Sequence, residues 1–164
     1  MSLDSIEAKI GSIAPDFNLL ATNGQYISLT EFRGKRNVVV FFIRETNCAQ
    51  CRTHVAQLGK MYEQFREAGA EIIVILGEGK EKAKEYADGI GLPFPILCDP
   101  DRAIYHLYEL EKYFLLFQRT ASLVVDKSGI VRYLKRTTVP NVWLQESREL
   151  LGFILSLEEG QPVV

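Results

Sequence analysis

Two cysteines with two residues between them, Cys48-Ala49-Gln50-Cys51, are the residues of this chain best suited to chemistry. They follow a β-branched and aromatic run at 37–43 and open a stretch of helical periodicity. A helix start exposes unpaired N–H groups and a partial positive charge, which favour a thiolate over a thiol. Spacing of i, i+3 brings both sulfurs to one face. One can then attack a peroxide or an oxidised sulfur, and the other can resolve the product as a disulfide. Arg44 and Arg52 flank the pair and are candidate supports for an anion. Two blander readings compete. A zinc half-site needs two further ligands, and only Cys98, His54 and His106 are left, without a second CxxC. Structural cysteines are the other, since free Cys is among the most buried residue types. The order strand–CxxC–helix favours redox chemistry over both, with no metal and no cofactor.

The elements that must position this pair follow from periodicity. Residues 37–43 and 71–76 are apolar without alternation, the pattern of strands buried on both faces. Between them, 49–68 reads as one helix, with Val55, Leu58, Met61, Tyr62 and Phe65 in its apolar stripe and Gly69 as its stop. Residues 80–90 read as a charged helix with Ala83, Tyr86 and Ala87 facing inward; Pro93 and Pro95 then lead into a short strand at 94–98. Residues 100–110 read as helical, 122–126 and 130–134 as a hairpin about Lys127-Ser128-Gly129, and 147–157 as a closing amphipathic helix. Ahead of all this, 17–20 and 26–29 flank the turn signal Asn23-Gly24. Parallel strands with helical crossovers, followed by an antiparallel hairpin, predict a mixed α/β sheet with helices on both faces.

Composition narrows the field. At 164 residues and 47% apolar, the chain reads as one domain over 1–164, with 158–164 a loose tail. Nineteen basic against 21 acidic residues exclude nucleic-acid binding by bulk positive charge. The first ten residues include Asp4 and Glu7 and no apolar run of signal-peptide length. The longest apolar run, 38–43, is six residues, against about 20 for a membrane-spanning helix. No membrane partner and a reducing, cytoplasmic setting are therefore expected.

Over about residues 11–135 the sequence resembles the peroxiredoxin family (alkyl hydroperoxide reductase and thiol-specific antioxidant) of the thioredoxin superfamily. The resemblance rests on Gly11-Ser12-Ile13-Ala14-Pro15-Asp16-Phe17, Ile27-Ser28-Leu29 and Phe32-Arg33-Gly34-Lys35. It continues through residues 38–42, Phe94-Pro95-Ile96-Leu97, Asp99-Pro100-Asp101-Arg102, and Ser122-Leu123-Val124-Val125-Asp126 with Gly129. It implies a thioredoxin-like fold with an N-terminal extension, and domains of this kind often dimerise. Peroxiredoxins follow the first of these strands with Pro-x-x-x-Thr/Ser-x-x-Cys. Here the proline position is Arg44, the threonine position is Cys48 and the peroxide-attacking position is Cys51; the glutamate three residues on is His54. The family's active-site arginine falls on Thr120, with Arg119 one place away, and Ala121 holds the thioredoxin cis-proline position. The pattern resembles a divergent branch that keeps a thioredoxin-style CxxC.

The resemblance implies reduction of hydroperoxides through a cysteine sulfenic acid and a Cys48–Cys51 disulfide, regenerated by thioredoxin or glutathione. Without the proline, threonine and arginine, Cys51 is expected to react more slowly than in a standard peroxiredoxin. Arg44, Arg52 or Arg119 are the candidate substitutes. Thioredoxin logic makes Cys48 the attacker and peroxiredoxin alignment makes it Cys51; the reading leans to Cys51 for peroxide and Cys48 for disulfides. A thiol–disulfide oxidoreductase and a non-catalytic redox-sensing domain are the rival functions. Cys98 reads as a buried small hydrophobe, His54 and His106 as helix-surface residues, and Tyr113-Phe114-Leu115-Leu116-Phe117 as core or interface.

Overall fold

The computed structural model describes residues 9–43, 46–110, 120–137 and 143–158. Seven strands form one sheet: β1 (Asn18–Ala21), β2 (Tyr26–Ser28), β3 (Asn37–Phe42), β4 (Ala70–Leu76), β5 (Ile96–Cys98), β6 (Thr120–Val125) and β7 (Val131–Thr137). The helices are α1 (Ala49–Lys60), α2 (Tyr62–Glu67), α3 (Lys80–Ile90), α4 (Ala103–Leu107) and α5 (Trp143–Glu158), with a 3-10 turn at Leu29–Phe32. Strand order is β2-β1-β5-β4-β3-β6-β7. β3, β4 and β5 are parallel, and β1, β2, β6 and β7 add antiparallel pairs at the two sides. This is the mixed thioredoxin-like sheet that the sequence predicts.

The missing alternation in β3 has a direct cause. Successive side chains of a strand point to opposite faces, and both faces are covered. Val39, Phe41 and Ile43 pack with Cys51, Val55 and Leu58 of α1, Ala83 and Tyr86 of α3, and Leu150 and Ile154 of α5. Val38, Val40 and Phe42 pack with Phe17, Tyr105, Tyr108 and Leu110 on the other side. Helices therefore lie on both faces, and the central strand is apolar throughout.

Two expected helices are shorter than periodicity suggests. The stretch 49–68 is two helices that meet at Met61 (φ −95, ψ 3). Gly59 lies just before the break, where a Cβ would stand 3.1 Å from the Leu92 side chain. The stretch 100–110 is helical only over Ala103–Leu107, because Arg102 and Glu109 both adopt left-handed backbone (φ 58). Asp99 fixes the start of α4: its Oδ2 accepts from the N–H groups of Ile104 (2.9 Å) and Tyr105 (3.1 Å). β7 and α5 run further than 130–134 and 147–157. The expected tail falls almost wholly on 159–164, and the aromatic cluster on 113–117, outside the described residues.

α4 ties the second core to the strand that feeds the cysteine pair. The buried Tyr105 hydroxyl reaches the backbone carbonyls of Ile43, at the exit of β3, and of Ile75 in β4. Burial drives this phenol well above the ordinary tyrosine range, so it stays a donor. Tyr105→Phe takes the hydroxyl from the Ile43 carbonyl, while the Ile75 carbonyl keeps the Ile43 N–H at 2.9 Å. We expect a loss of about 1–3 kcal/mol in chemical denaturation, with the cysteine pair still able to close.

Candidate active site

β3 ends at Phe42, and α1 starts at Ala49 with Cys48 as its N-cap. The Cys51 N–H donates to Cys48 Sγ at 3.2 Å, so the sulfur does the work an N-cap oxygen usually does. Cys48 and Cys51 form a disulfide, with their Cα atoms 5.3 Å apart. The two sulfurs differ in access: Cys48 is half-buried, whereas Cys51 is 0% exposed and packs in the core with Val55 and Leu58. Once the bond opens, the N–H and the helix terminus favour negative charge on Cys48.

Of the four candidate supporting residues, two are described. Arg52 begins the next turn after Cys48, and its N–H donates to the Cys48 carbonyl at 3.1 Å. Its guanidinium carbon lies 5.4 Å from the centroid of the Tyr86 ring in α3. Thr120 is buried at the first position of β6, one residue beyond the Phe42–Ala121 pair and so beside the exit of β3. Arg44 and Arg119 lie outside the described residues.

His54 corrects the sequence reading. It is not a solvated helix residue but 1% exposed. Its ring meets Phe41 edge-on at 4.6 Å, and its Nδ1 is 3.5 Å from the buried Ser147 Oγ of α5. The signal was present, because Cys51, His54, Leu58, Met61 and Phe65 follow i, i+3, i+4 spacing. His106 is exposed, as expected. Cys98 is free and buried, as expected; burial pushes its thiol up, and Lys80 partly opposes this.

Glu146, next to Ser147, is a buried acid that the sequence reading missed. It shares an i, i+4 stripe with Leu150 and Ile154 of the core, which was the available clue. Burial pushes its carboxyl up; the Ser122 hydroxyl and Lys135 pull it down, and Glu149 adds to the rise. A raised carboxyl in the folded state means that ionising it costs stability. The cost is absent below the ordinary value of 4.5 and grows as pH rises through the folded value. Glu146→Gln is therefore expected to unfold at higher denaturant than the natural protein at pH 7.5, the two converging below pH 4.5.

A closed CxxC pair at the start of a helix, directly after the central strand of a mixed sheet, defines the thioredoxin-like class of redox proteins. Within it, the chain matches the AhpC/TSA family over residues 10–134 and belongs to that family. Peroxiredoxin Q of Oryza sativa subsp. japonica, a chloroplastic protein, is 33% identical over 76% of this chain and 57% of its own length. Peroxiredoxin Q of Sedum lineare, also chloroplastic, is 31% identical over 90% of this chain and 81% of its own. The chain thus spans little more than half the length of the rice relative. Thiol-disulfide oxidoreductase ResA of Bacillus subtilis is 32% identical over 61% of this chain and 55% of its own. Among solved structures, a cysteine-to-serine mutant of Xylella fastidiosa PrxQ superposes with a TM-score of 0.82 at 12% identity, covering 92% of this chain and 98% of that one. Peroxidoxin BcpB of Mycobacterium tuberculosis gives 0.80 at 18% identity, covering 92% and 99%. These two likenesses concern the fold.

Proposed function

We propose that this chain is a thiol peroxidase whose Cys51 attacks a hydroperoxide. The Cys51 thiolate takes the terminal oxygen, the O–O bond breaks, and the alcohol or water leaves with a proton. Cys48 then attacks the sulfur of the sulfenic acid, releasing water and closing the disulfide. Two electrons and two protons from an external thiol, or from a dithiol such as thioredoxin, reopen it. The observation that carries this reading is the place of Cys51: the first turn of α1, straight after β3, within disulfide reach of Cys48. The test is stopped-flow oxidation of the reduced protein by hydrogen peroxide, with mass spectrometry of the product. A Cys48–Cys51 disulfide formed at a rate proportional to peroxide supports it; a reduced protein that peroxide leaves unchanged overturns it.

One observation favours a second reading. Cys48 is the accessible sulfur and receives the Cys51 N–H, which suits attack on the disulfide of another protein. Reduction of an insulin-type disulfide without peroxide turnover supports that reading. A reducing setting such as the cytoplasm fits both, and the plant relatives carry the name chloroplastic. No helix among the described residues is long and apolar enough to cross a membrane. The dimer that the family resemblance implies belongs to the same proposal, and sedimentation at micromolar concentration reads it.

A further inference from the structure

A groove of about 480 Å³ opens between the start of α1 and α3, and two of its residues, Thr46 and Arg52, flank the cysteine pair in the sequence. Thr46, Arg52, Lys82, Glu85, Tyr86 and Gly89 line it. Its volume falls in the range of small-molecule sites, roughly 300–1,000 Å³.

Three features set it apart from an ordinary surface cleft. Arg52 is held over the Tyr86 ring, yet among the described residues no carboxylate pairs with it; Glu85, in the same groove, stands outside ion-pair distance. Gly89 makes room for it: a Cβ there would stand 3.0 Å from Arg52 Nη2. Glycine inside a helix costs about 1 kcal/mol relative to alanine, so the space comes at some cost to α3. Tyr86 is 5% exposed, and its hydroxyl has no hydrogen-bond partner among the described residues. Burial pushes this phenol up to about 12, against the pull of Arg52, so it remains a donor. Lys82 adds a second cation, whose one ion pair among the described residues is with Glu78 at 3.8 Å.

We propose that this groove binds the carboxylate of a small thiol, which then reduces the Cys48–Cys51 disulfide by attacking Cys48. The proposal deepens the catalytic reading above and rests on the disulfide as an intermediate. A planar guanidinium with the Lys82 ammonium in the same groove suits a carboxylate. Cys48 is the N-cap of α1 and Arg52 begins the next turn, its N–H on the Cys48 carbonyl at 3.1 Å, so both lie at the same end of the helix. A thiol whose carboxylate sits on Arg52 is thus brought to the end of α1 that carries the accessible sulfur. The incoming thiolate forms a bond to Cys48 Sγ and breaks the Cys48–Cys51 bond, expelling the Cys51 thiolate. A second thiol attacks the sulfur of the bound reductant, releasing the small-molecule disulfide and the Cys48 thiolate. The two thiol protons end on the two cysteines.

The test uses the oxidised protein and two probes, 3-mercaptopropionate and 2-mercaptoethanol, and reads the ratio of their rate constants for disulfide reduction. A ratio cancels whatever a variant does to the cysteines themselves. Arg52→Gln should lower the ratio about tenfold, the size of a lost charge-assisted hydrogen bond. Lys82→Gln should lower it by a smaller factor, Glu85→Gln should raise it, and added salt should shrink it. A ratio unmoved by Arg52→Gln and Lys82→Gln overturns the proposal. So does carboxylate selectivity that moves to the oxidising step, read as the preference of the reduced protein for a carboxylate-bearing hydroperoxide over tert-butyl hydroperoxide. Failure of the peroxidase reading looks different: peroxide leaves the reduced protein untouched while the thiol ratio still depends on Arg52, which supports the groove.

Discussion

Cys51→Ser is expected to lower peroxide turnover by about a thousandfold or more, measured as hydrogen peroxide consumed with excess dithiothreitol. A hydroxyl in place of this sulfur neither attacks peroxide at neutral pH nor forms the disulfide. Cys51 sits 0% exposed among Val55, Leu58 and Phe41, so serine also puts a hydroxyl into an apolar site. Cys51→Ala, which keeps that site apolar, should lose activity equally while its circular dichroism stays native. If Cys51→Ser still forms a sulfenic acid at the native rate, Cys48 is the peroxide-attacking sulfur.

Cys48→Ser should divide the cycle instead of abolishing it. The first oxidation persists and the product is a sulfenic acid on Cys51, trapped by dimedone and seen by mass spectrometry. Turnover with thiols falls at least about tenfold, because no partner sulfur closes the disulfide and over-oxidation competes. Serine at this position also restores the hydroxyl that peroxiredoxins carry there, and it can still cap α1, since Ser is a preferred N-cap. Loss of the first oxidation in Cys48→Ser, with Cys51→Ser still oxidised at the native rate, would instead make Cys48 the attacker.

Much of this arrangement was legible in the sequence, and the reasons differ from residue to residue. The doubly apolar run at 37–43 identified a strand with two covered faces, and the CxxC at a helix start identified the pair. The family blocks from Gly11 to Gly129 set the topology. The break at Met61 was not legible, because Met61, Tyr62 and Phe65 continue the apolar stripe while the backbone yields. The short α4 was hidden likewise, since left-handed backbone at Arg102 and Glu109 comes from residues without a strong preference for it. His54 and Glu146 were missed because a titratable side chain defaults to solvent, although the i, i+3, i+4 stripes through them pointed inward. The groove of Arg52 depends on which way a long flexible side chain lies, and only the packing of α1 against α3 settles that.

The two faces of β3 also provide an internal control for spectroscopy. Phe41 looks toward α1 and meets His54, whereas Phe42 looks the other way, 5.2 Å from the rings of both Tyr105 and Tyr108. A fluorine label on each ring places two reporters on adjacent residues, one on the side of the cysteine pair and one sheltered by the strand itself. A redox cycle that rearranges α1 alone shifts the first resonance and leaves the second in place. A change that reaches the far core moves both, so the extent of the rearrangement is read from one spectrum.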